Sequence, residues 1–144
     1  MNFKECQEKT KSSIIKVSDK GSTHATFLNK ENFSYTVVKF DGCVVKNAIA
    51  CDWIIEKAGV GRLVVELKGS DVDHAAEQIA AALRFLQEKG LKDLKVAALI
   101  ICSRYPSIDT KVQRIKQRLA RDYRAPVTVK TDGRNLVFDK LLKF

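Results

Sequence analysis

The chain has 144 residues, of which 45% are hydrophobic and 30% charged, with only seven glycines and two prolines. This composition excludes disordered, collagen-like and low-complexity proteins, and the length suits one globular domain covering residues 1–144. The longest apolar run is the seven residues 96–102, whereas a helix that crosses a membrane needs about 20. Because the first residues also lack the apolar stretch of a signal peptide, we expect a cytoplasmic protein that does not contact membranes.

The net charge of +9 is concentrated in the last third of the chain. Residues 1–94 contain 14 basic and 13 acidic side chains, whereas residues 95–144 contain 12 basic and 4 acidic ones. A positive field confined to one part of a domain favours an anionic partner, and nucleic acid is the first candidate.

In the first half of the chain the pattern predicts one helix followed by strands. Residues 2–16 are predicted as a short helix and residues 18–32 as a loop. The β-rich segments 33–40 and 43–49 flank an Asp-Gly dipeptide, which predicts a hairpin. A short apolar stretch at 51–56 follows.

The second half alternates strands and helices. A strand at 62–68 precedes a helix at 72–89, which Ser70 or Asp71 can cap because a side-chain oxygen there accepts from free backbone amides. A continuous apolar strand at 95–102 and a helix at 109–123 come next. Two final strands are expected at 127–130 and 136–138. The whole order predicts an α/β fold with a mixed β-sheet flanked by helices.

The four cysteines, Cys6, Cys43, Cys51 and Cys102, are scattered and form no C-x-x-C pair. Their spacing does not match a zinc site, and it agrees with a cytoplasmic protein. Cys51 and Cys102 have apolar neighbours, so we interpret them as small residues of the core.

One strand combines a carboxylate with an amine. Side chains alternate along the strand at 62–68, so Glu66 and Lys68 project from the same face. For an isolated pair of this kind, a solvated face with a Glu–Lys contact is the ordinary explanation. Here Val64 shares the face, and Asp52 begins another apolar stretch from which it can reach Glu66 across neighbouring strands. Two converging carboxylates repel each other unless a cation joins them, and hard oxygen ligands suit Mg²⁺.

These residues resemble the PD-(D/E)XK superfamily of restriction-endonuclease-like nucleases. The resemblance rests on Asp52, on the run Glu66-Leu67-Lys68 at the end of a strand, and on a following helix that carries Gln78. It covers residues 33–102 well and the two ends loosely. The expected order of helix, hairpin, strand, helix and strand is similar to the core of that superfamily.

The resemblance implies a role for each of these residues. Asp52 and Glu66 would bind Mg²⁺ or Mn²⁺, assisted by the backbone carbonyl of Leu67. Lys68 would be the catalytic lysine, and Gln78 would lie beside the site as a further catalytic residue. Many members of the superfamily also place a glutamate on the first helix, for which Glu5 and Glu8 are the candidates.

The helix at 109–123 carries a basic stripe, defined as Lys111, Arg114, Arg118 and Arg121. The stripe is either the solvated outer face of an amphipathic helix or a ridge that binds phosphates. Beside a phosphodiesterase site, it favours phosphate binding.

The sequence therefore predicts a metal-dependent nuclease that hydrolyses nucleic acid. DNA is favoured over RNA as its substrate without RNA being excluded, and a homodimer would be needed to cut both strands. The alternative is a non-catalytic module on the same fold that binds nucleic acid or a protein partner, such as an immunity or regulatory factor.

Overall fold

A computed structural model describes residues 3–19, 23–67, 71–104 and 109–144. After a 3₁₀ turn at Lys4–Cys6, these residues form eight strands and three α-helices. In chain order they are β1 (Gln7–Thr10), β2 (Ile14–Ser18), β3 (His24–Leu28), β4 (Tyr35–Lys39), β5 (Trp53–Lys57), β6 (Gly61–Glu66), α1 (Val72–Glu88), β7 (Lys95–Ile101), α2 (Asp109–Tyr123), β8 (Val127–Lys130) and α3 (Phe138–Leu141).

Six of the strands form one mixed sheet in the order β1-β4-β5-β6-β7-β8. Each pairing from β1 through β4 and β5 to β6 is antiparallel, whereas β6 pairs with β7 and β7 with β8 in parallel. Helix α1 connects β6 to β7, and α2 connects β7 to β8, as parallel neighbours require a crossover. Strands β2 and β3 form a separate antiparallel pair.

The sheet is covered on both faces, so the core has two halves. On one face, the side chains of Ile54, Val64 and Ala98 pack with α1 and α2. On the other face, Leu63 and Leu99 belong to a cluster that includes the β2–β3 pair and α3. Central strand β6 is buried along its whole length because both of its faces are covered. The expectation of a mixed α/β fold is confirmed.

Several elements of the second half lie where the sequence predicts them. Strands β6, β7 and β8 and helices α1 and α2 match the predicted segments to within two residues at each described end. The Asp71 carboxylate caps α1 by accepting from the Asp73 and His74 amides at 3.0 and 3.3 Å. No helix in the described ranges has the length and apolar character needed to cross a membrane.

The predictions for the N-terminal segment are wrong. The expected helix at 2–16 is replaced by a 3₁₀ turn and strands β1 and β2, and the expected loop at 18–32 contains β3. In β2, Ile15 and Val17 are buried while their neighbours are exposed, and in β3 Ala25 and Phe27 alternate in the same way. This period of two is that of a strand with one buried face.

The predicted hairpin is also wrong, because β4 pairs with β5 and not with 43–49. The ladder runs from Tyr35 opposite Lys57 to Lys39 opposite Trp53. The Asp-Gly dipeptide does turn the chain, with Gly42 at a φ of 79°, a left-handed conformation that favours glycine. The turn leads into an irregular segment, and the apolar stretch that follows supplies the pairing strand.

The last predicted strand, 136–138, is not formed. Leu136 makes a single parallel bridge with Phe27, and the chain enters α3 at Phe138. The Leu136 amide donates to Thr26 at 2.8 Å, which fixes this segment on the β2–β3 pair. Leu136 and Phe138 therefore pack in the second half of the core without extending a ladder, whereas Val137 is exposed.

The cysteines divide into two kinds. Cys51 and Cys102 are free and buried, which confirms their interpretation as core residues. Cys6 and Cys43 form a disulfide that joins the N-terminal 3₁₀ turn to the segment between β4 and β5. Sequence spacing did not indicate this pairing, and disulfides are uncommon in reducing compartments, so it does not support the expected cytoplasmic location.

Candidate functional site

Asp52 and Glu66 meet at one end of the sheet. Strands β5 and β6 are antiparallel with Trp53 opposite Val65, so Asp52 and Glu66 occupy the next position on each strand. Both side chains share the face of Ile54 and Val64, which packs against α1. The structure thus brings together the two carboxylates that the sequence pairs across neighbouring strands.

Glu66 is the buried member of this acid pair. The residue is only 4% exposed, and its Oε2 atom has no hydrogen-bond partner. Burial, a hydrogen bond with the Asp52 carboxyl and the charge of Asp52 together raise the pKa of Glu66 to about 10. The Asp41 carboxylate acts in the same direction, whereas the Leu67 amide lowers this pKa. A carboxyl group in this setting holds a proton or requires a cation.

Asp52 is the partly exposed member and is held in place by backbone groups. Its Oδ2 atom accepts a hydrogen bond from the Leu67 amide at 2.7 Å, and its own carbonyl accepts from Phe40 at 3.1 Å. The pair is therefore accessible from solvent on the Asp52 side and closed on the Glu66 side.

The donor set fits a hard divalent cation. Two carboxylates converge, and Glu66 Oε2 has no partner, so a bound cation would remove both the repulsion and the unsatisfied oxygen. Within the described parts of the chain, no group of three or more histidine, cysteine or acidic ligands is assembled. Two carboxylates are enough for Mg²⁺, which is commonly held by one or two of them and keeps several waters.

Asp41 was missed in the sequence, although its charge is one of those that act on Glu66. It lies in the turn after β4, where its amide donates to the Cys51 carbonyl at 3.1 Å. That bond continues the β4–β5 pairing and brings Asp41 beside the segment that leads to Asp52. Pairing β4 with β5 in the sequence analysis would have placed Asp41 next to the segment that contains Asp52.

The other residues implied by the resemblance have different positions. Gln78 is half-buried on α1, and its amide donates to the Ala50 carbonyl at 3.3 Å, so it contacts the chain just before Asp52. Leu67 is buried, with its amide directed at Asp52. Lys68 lies outside the described residues.

Neither N-terminal glutamate joins the acid pair. Glu5 lies in the 3₁₀ turn and is exposed. Glu8 is opposite Val37 in the β1–β4 ladder, which places it on the sheet face away from Glu66. The helix that would carry such an acid is not formed.

Helix α2 lies beside α1, and three residues of the basic stripe make ion pairs. Lys111 contacts Asp73 at 2.6 Å and Arg118 contacts Glu77 at 2.8 Å, both across to α1. Arg121 contacts the adjacent Asp122 at 2.9 Å. Arg114 is exposed and has no ion pair within the described ranges.

Comparison with known proteins adds no relative: no protein-family model, no curated protein and no solved structure matches this chain.

Proposed function

We propose that this chain is a nuclease that hydrolyses phosphodiester bonds of nucleic acid, DNA in particular, with Mg²⁺ or Mn²⁺ held by Asp52 and Glu66. The observation that carries the proposal is the buried, unpartnered Oε2 of Glu66 next to a second, solvent-accessible carboxylate. A meander of β4, β5 and β6 followed by α1 and parallel β7 supports a restriction-endonuclease-like core, although the N-terminal helix of the expected order is missing.

Each residue would have a separate task in the reaction. A bound divalent cation polarises the phosphoryl oxygen and lowers the pKa of a water ligand. Asp52 and Glu66 would hold the cation, with Asp52 fixed by the Leu67 amide. The ammonium of Lys68 would stabilise the charge that develops on the phosphorus oxygens and orient the attacking water. Gln78 would hold the backbone before Asp52 in register.

The basic stripe would hold the phosphate backbone beside this site. Arg114 is the stripe residue best placed to do so, because the other three are engaged with acidic side chains. One domain offers one acid pair, so cutting both strands of a duplex would require a homodimer. The cytoplasmic location stays a prediction from the sequence, and the Cys6–Cys43 disulfide counts against it.

The test is incubation of the purified protein with supercoiled plasmid, single-stranded DNA and single-stranded RNA, each with Mg²⁺, Mn²⁺ or a chelator. We expect cleavage that requires the metal and that falls by about 100-fold or more in Glu66→Gln and in Lys68→Ala. Matched controls are Glu88→Gln at the exposed end of α1 and Lys30→Ala in an exposed turn, both of which should cleave like the wild type.

Undiminished cleavage by Glu66→Gln would show that the acid pair is not the site. Salt-sensitive binding without cleavage would support the non-catalytic nucleic-acid-binding module, and the absence of both would support a protein-interaction role. Anomalous scattering from a manganese-soaked crystal adds a direct readout, with a peak expected between the Asp52 and Glu66 carboxylates.

A further inference from the structure

A cavity lies at the end of the sheet opposite the acid pair. It has a volume of about 900 Å³ and is bounded by the ends of α1 and α2, the start of β7 and the last residues of the chain. Lys95 at its rim is opposite Gly61, the first residue of β6, whereas Glu66 is the last. Five residues of strand separate the two ends by about 17 Å, so this cavity and the acid pair are different places.

The floor of the cavity is apolar. Leu83 and Leu86 of α1 are buried there, and Leu91, Leu94, Val96 and Tyr123 are half-buried around them. Half-buried apolar side chains that converge on one concavity leave apolar surface in water, and covering that surface is favourable. The volume is within the range of pockets that bind small organic molecules.

The rim of the cavity is strongly basic, with five Lys or Arg residues against two aspartates. Both aspartates are already paired: Asp93 contacts the buried Arg62 at 3.0 Å, and Asp122 contacts Arg121. No ion pair found in the described ranges involves the remaining basic residues, which are Lys92, Lys95, Arg124 and Lys143.

Arg124 occupies a backbone conformation that favours a different residue. Its φ of 54° is left-handed, and its amide donates to Ala120 at 2.9 Å to end α2, a position at which glycine is the usual choice. Among the residues that the structure describes, three of the five non-glycine residues with positive φ are asparagines, which adopt this region more easily than arginine. Because this φ suits arginine less well than glycine or asparagine, we infer that the guanidinium at the rim of a basic cavity has a binding role.

We propose that this cavity binds a small organic anion, a carboxylate attached to an apolar acyl or aryl body. The apolar floor would cover the body, and Lys95 and Arg124 at the rim would bind the anionic group. None of the cavity residues belongs to the acid pair, so this inference does not rest on metal binding or cleavage, although Arg121 at the rim also belongs to the basic stripe.

The test measures binding by the full-length protein of three probes, using calorimetry and the amide shifts of ¹⁵N-labelled protein. Decanoate represents an acyl anion, 1-naphthoate an aryl anion, and 1-decanol the same acyl body without charge. We expect saturable binding of at least one anion, binding of 1-decanol weaker by about tenfold, and shifts centred on 91–96 and 123–124. Which of the two anions binds more tightly identifies the apolar body.

Three variants separate ligand binding from folding. The Lys95→Glu/Arg124→Glu pair should weaken anion binding by about tenfold or more, whereas the exposed pair Lys11→Glu/Lys30→Glu should leave it unchanged. Arg124→Gly should raise the melting temperature, because glycine suits this φ, and still weaken binding.

Equal binding of 1-decanol and decanoate, unchanged affinity in the rim variants, or no saturable binding of either anion would each overturn the proposal. Glu66→Gln should bind the anion as the wild type does, so the failure of one proposal does not affect the other.

Discussion

A carboxyl group that is 4% exposed and faces a second carboxyl is neutral at physiological pH unless a cation takes the place of its proton. Glu66 is such a group, with its pKa raised to about 10 first by burial and then by Asp52. In the unfolded chain the same group ionises near pH 4.5. This one residue therefore gives the protein a pH dependence of stability, which a bound cation would counteract.

Without metal, the free energy of unfolding should fall as pH rises from about 4.5 to 10, because the unfolded chain releases a proton that folded Glu66 keeps. The slope from one such group is at most about 1.4 kcal/mol per pH unit. Glu66→Gln, which resembles the protonated carboxyl, removes this part of the slope and should be more stable than the wild type at pH 8–9 in chelator. Urea unfolding of both proteins across this pH range measures the difference.

Divalent metal supplies the control for that measurement. Mg²⁺ or Mn²⁺ should stabilise the wild type more at pH 8 than at pH 6, because binding requires ionised carboxylates, and should not stabilise Glu66→Gln. Parallel pH profiles for the two proteins in chelator would contradict the raised pKa of Glu66. Equal stabilisation of both by metal would contradict the metal site.

At the residue scale, the acid pair could be predicted because alternation along a strand fixes which side chains share a face. That rule placed Glu66 on the face opposite Leu63 and Val65, where the structure has it. Asp41 could not be found in this way, since its position depends on which strand pairs with β4. The role of Lys68 stays a prediction.

At the scale of elements, the helices were easier to predict than the N-terminal strands for a physical reason. The apolar stripes of α1 and α2 repeat over 17 and 15 residues, long enough to establish a helical period. Strands β1, β2 and β3 have four or five residues each, and segments of that length are too short for their periodicity to distinguish a strand from a helix or a loop.

The contacts of α2 predict unequal roles for its basic residues in nucleic-acid binding. Arg114→Ala should weaken affinity by about threefold to tenfold at low salt and reduce the slope of log K against log salt by about 1. Lys111→Ala and Arg118→Ala should have smaller effects, because these cations are already paired with Asp73 and Glu77. Fluorescence anisotropy with a labelled duplex over a salt series measures all three.

Releasing a paired cation gives the reciprocal test. Glu77→Gln frees Arg118 and should tighten binding and steepen the salt dependence, whereas Glu88→Gln, at the far end of the same helix, should do neither. Equal loss of affinity in Arg114→Ala and Arg118→Ala would show that the ion pair of Arg118 with Glu77 does not reduce its contribution to nucleic-acid binding.

At the scale of the whole molecule, the strand order depends on long-range pairing that local patterns do not encode. Tyr35 and Lys57 are opposite each other across an irregular connection, and Leu136 meets Phe27 from the far end of the chain. The Asp-Gly turn favours a local hairpin, but the five-residue ladder with β5 buries Ile54 and Ile55 on the two faces of the sheet. Burial of both residues outweighs the local turn preference.

The Cys6–Cys43 disulfide constrains the chain over a long distance in sequence. It closes a loop with a sequence separation of 37 residues and attaches the N-terminal turn to the segment that follows Asp41 and leads to Asp52. Reduction should lower the free energy of unfolding by about 2–4 kcal/mol, mainly through the greater freedom of the unfolded chain, and should weaken metal binding. Urea unfolding and metal titration with and without a phosphine reductant measure both effects.

The Cys6→Ser/Cys43→Ser pair is the matched variant, and its stability should not respond to reductant, since Cys51 and Cys102 are free in either condition. Alkylation of the denatured, unreduced protein should modify only those two buried thiols, and reduction before alkylation should expose all four. Four reactive thiols without reductant would show that the bond does not form. If the bond is present but its reduction leaves metal affinity unchanged, the disulfide stabilises the fold without positioning the acid pair.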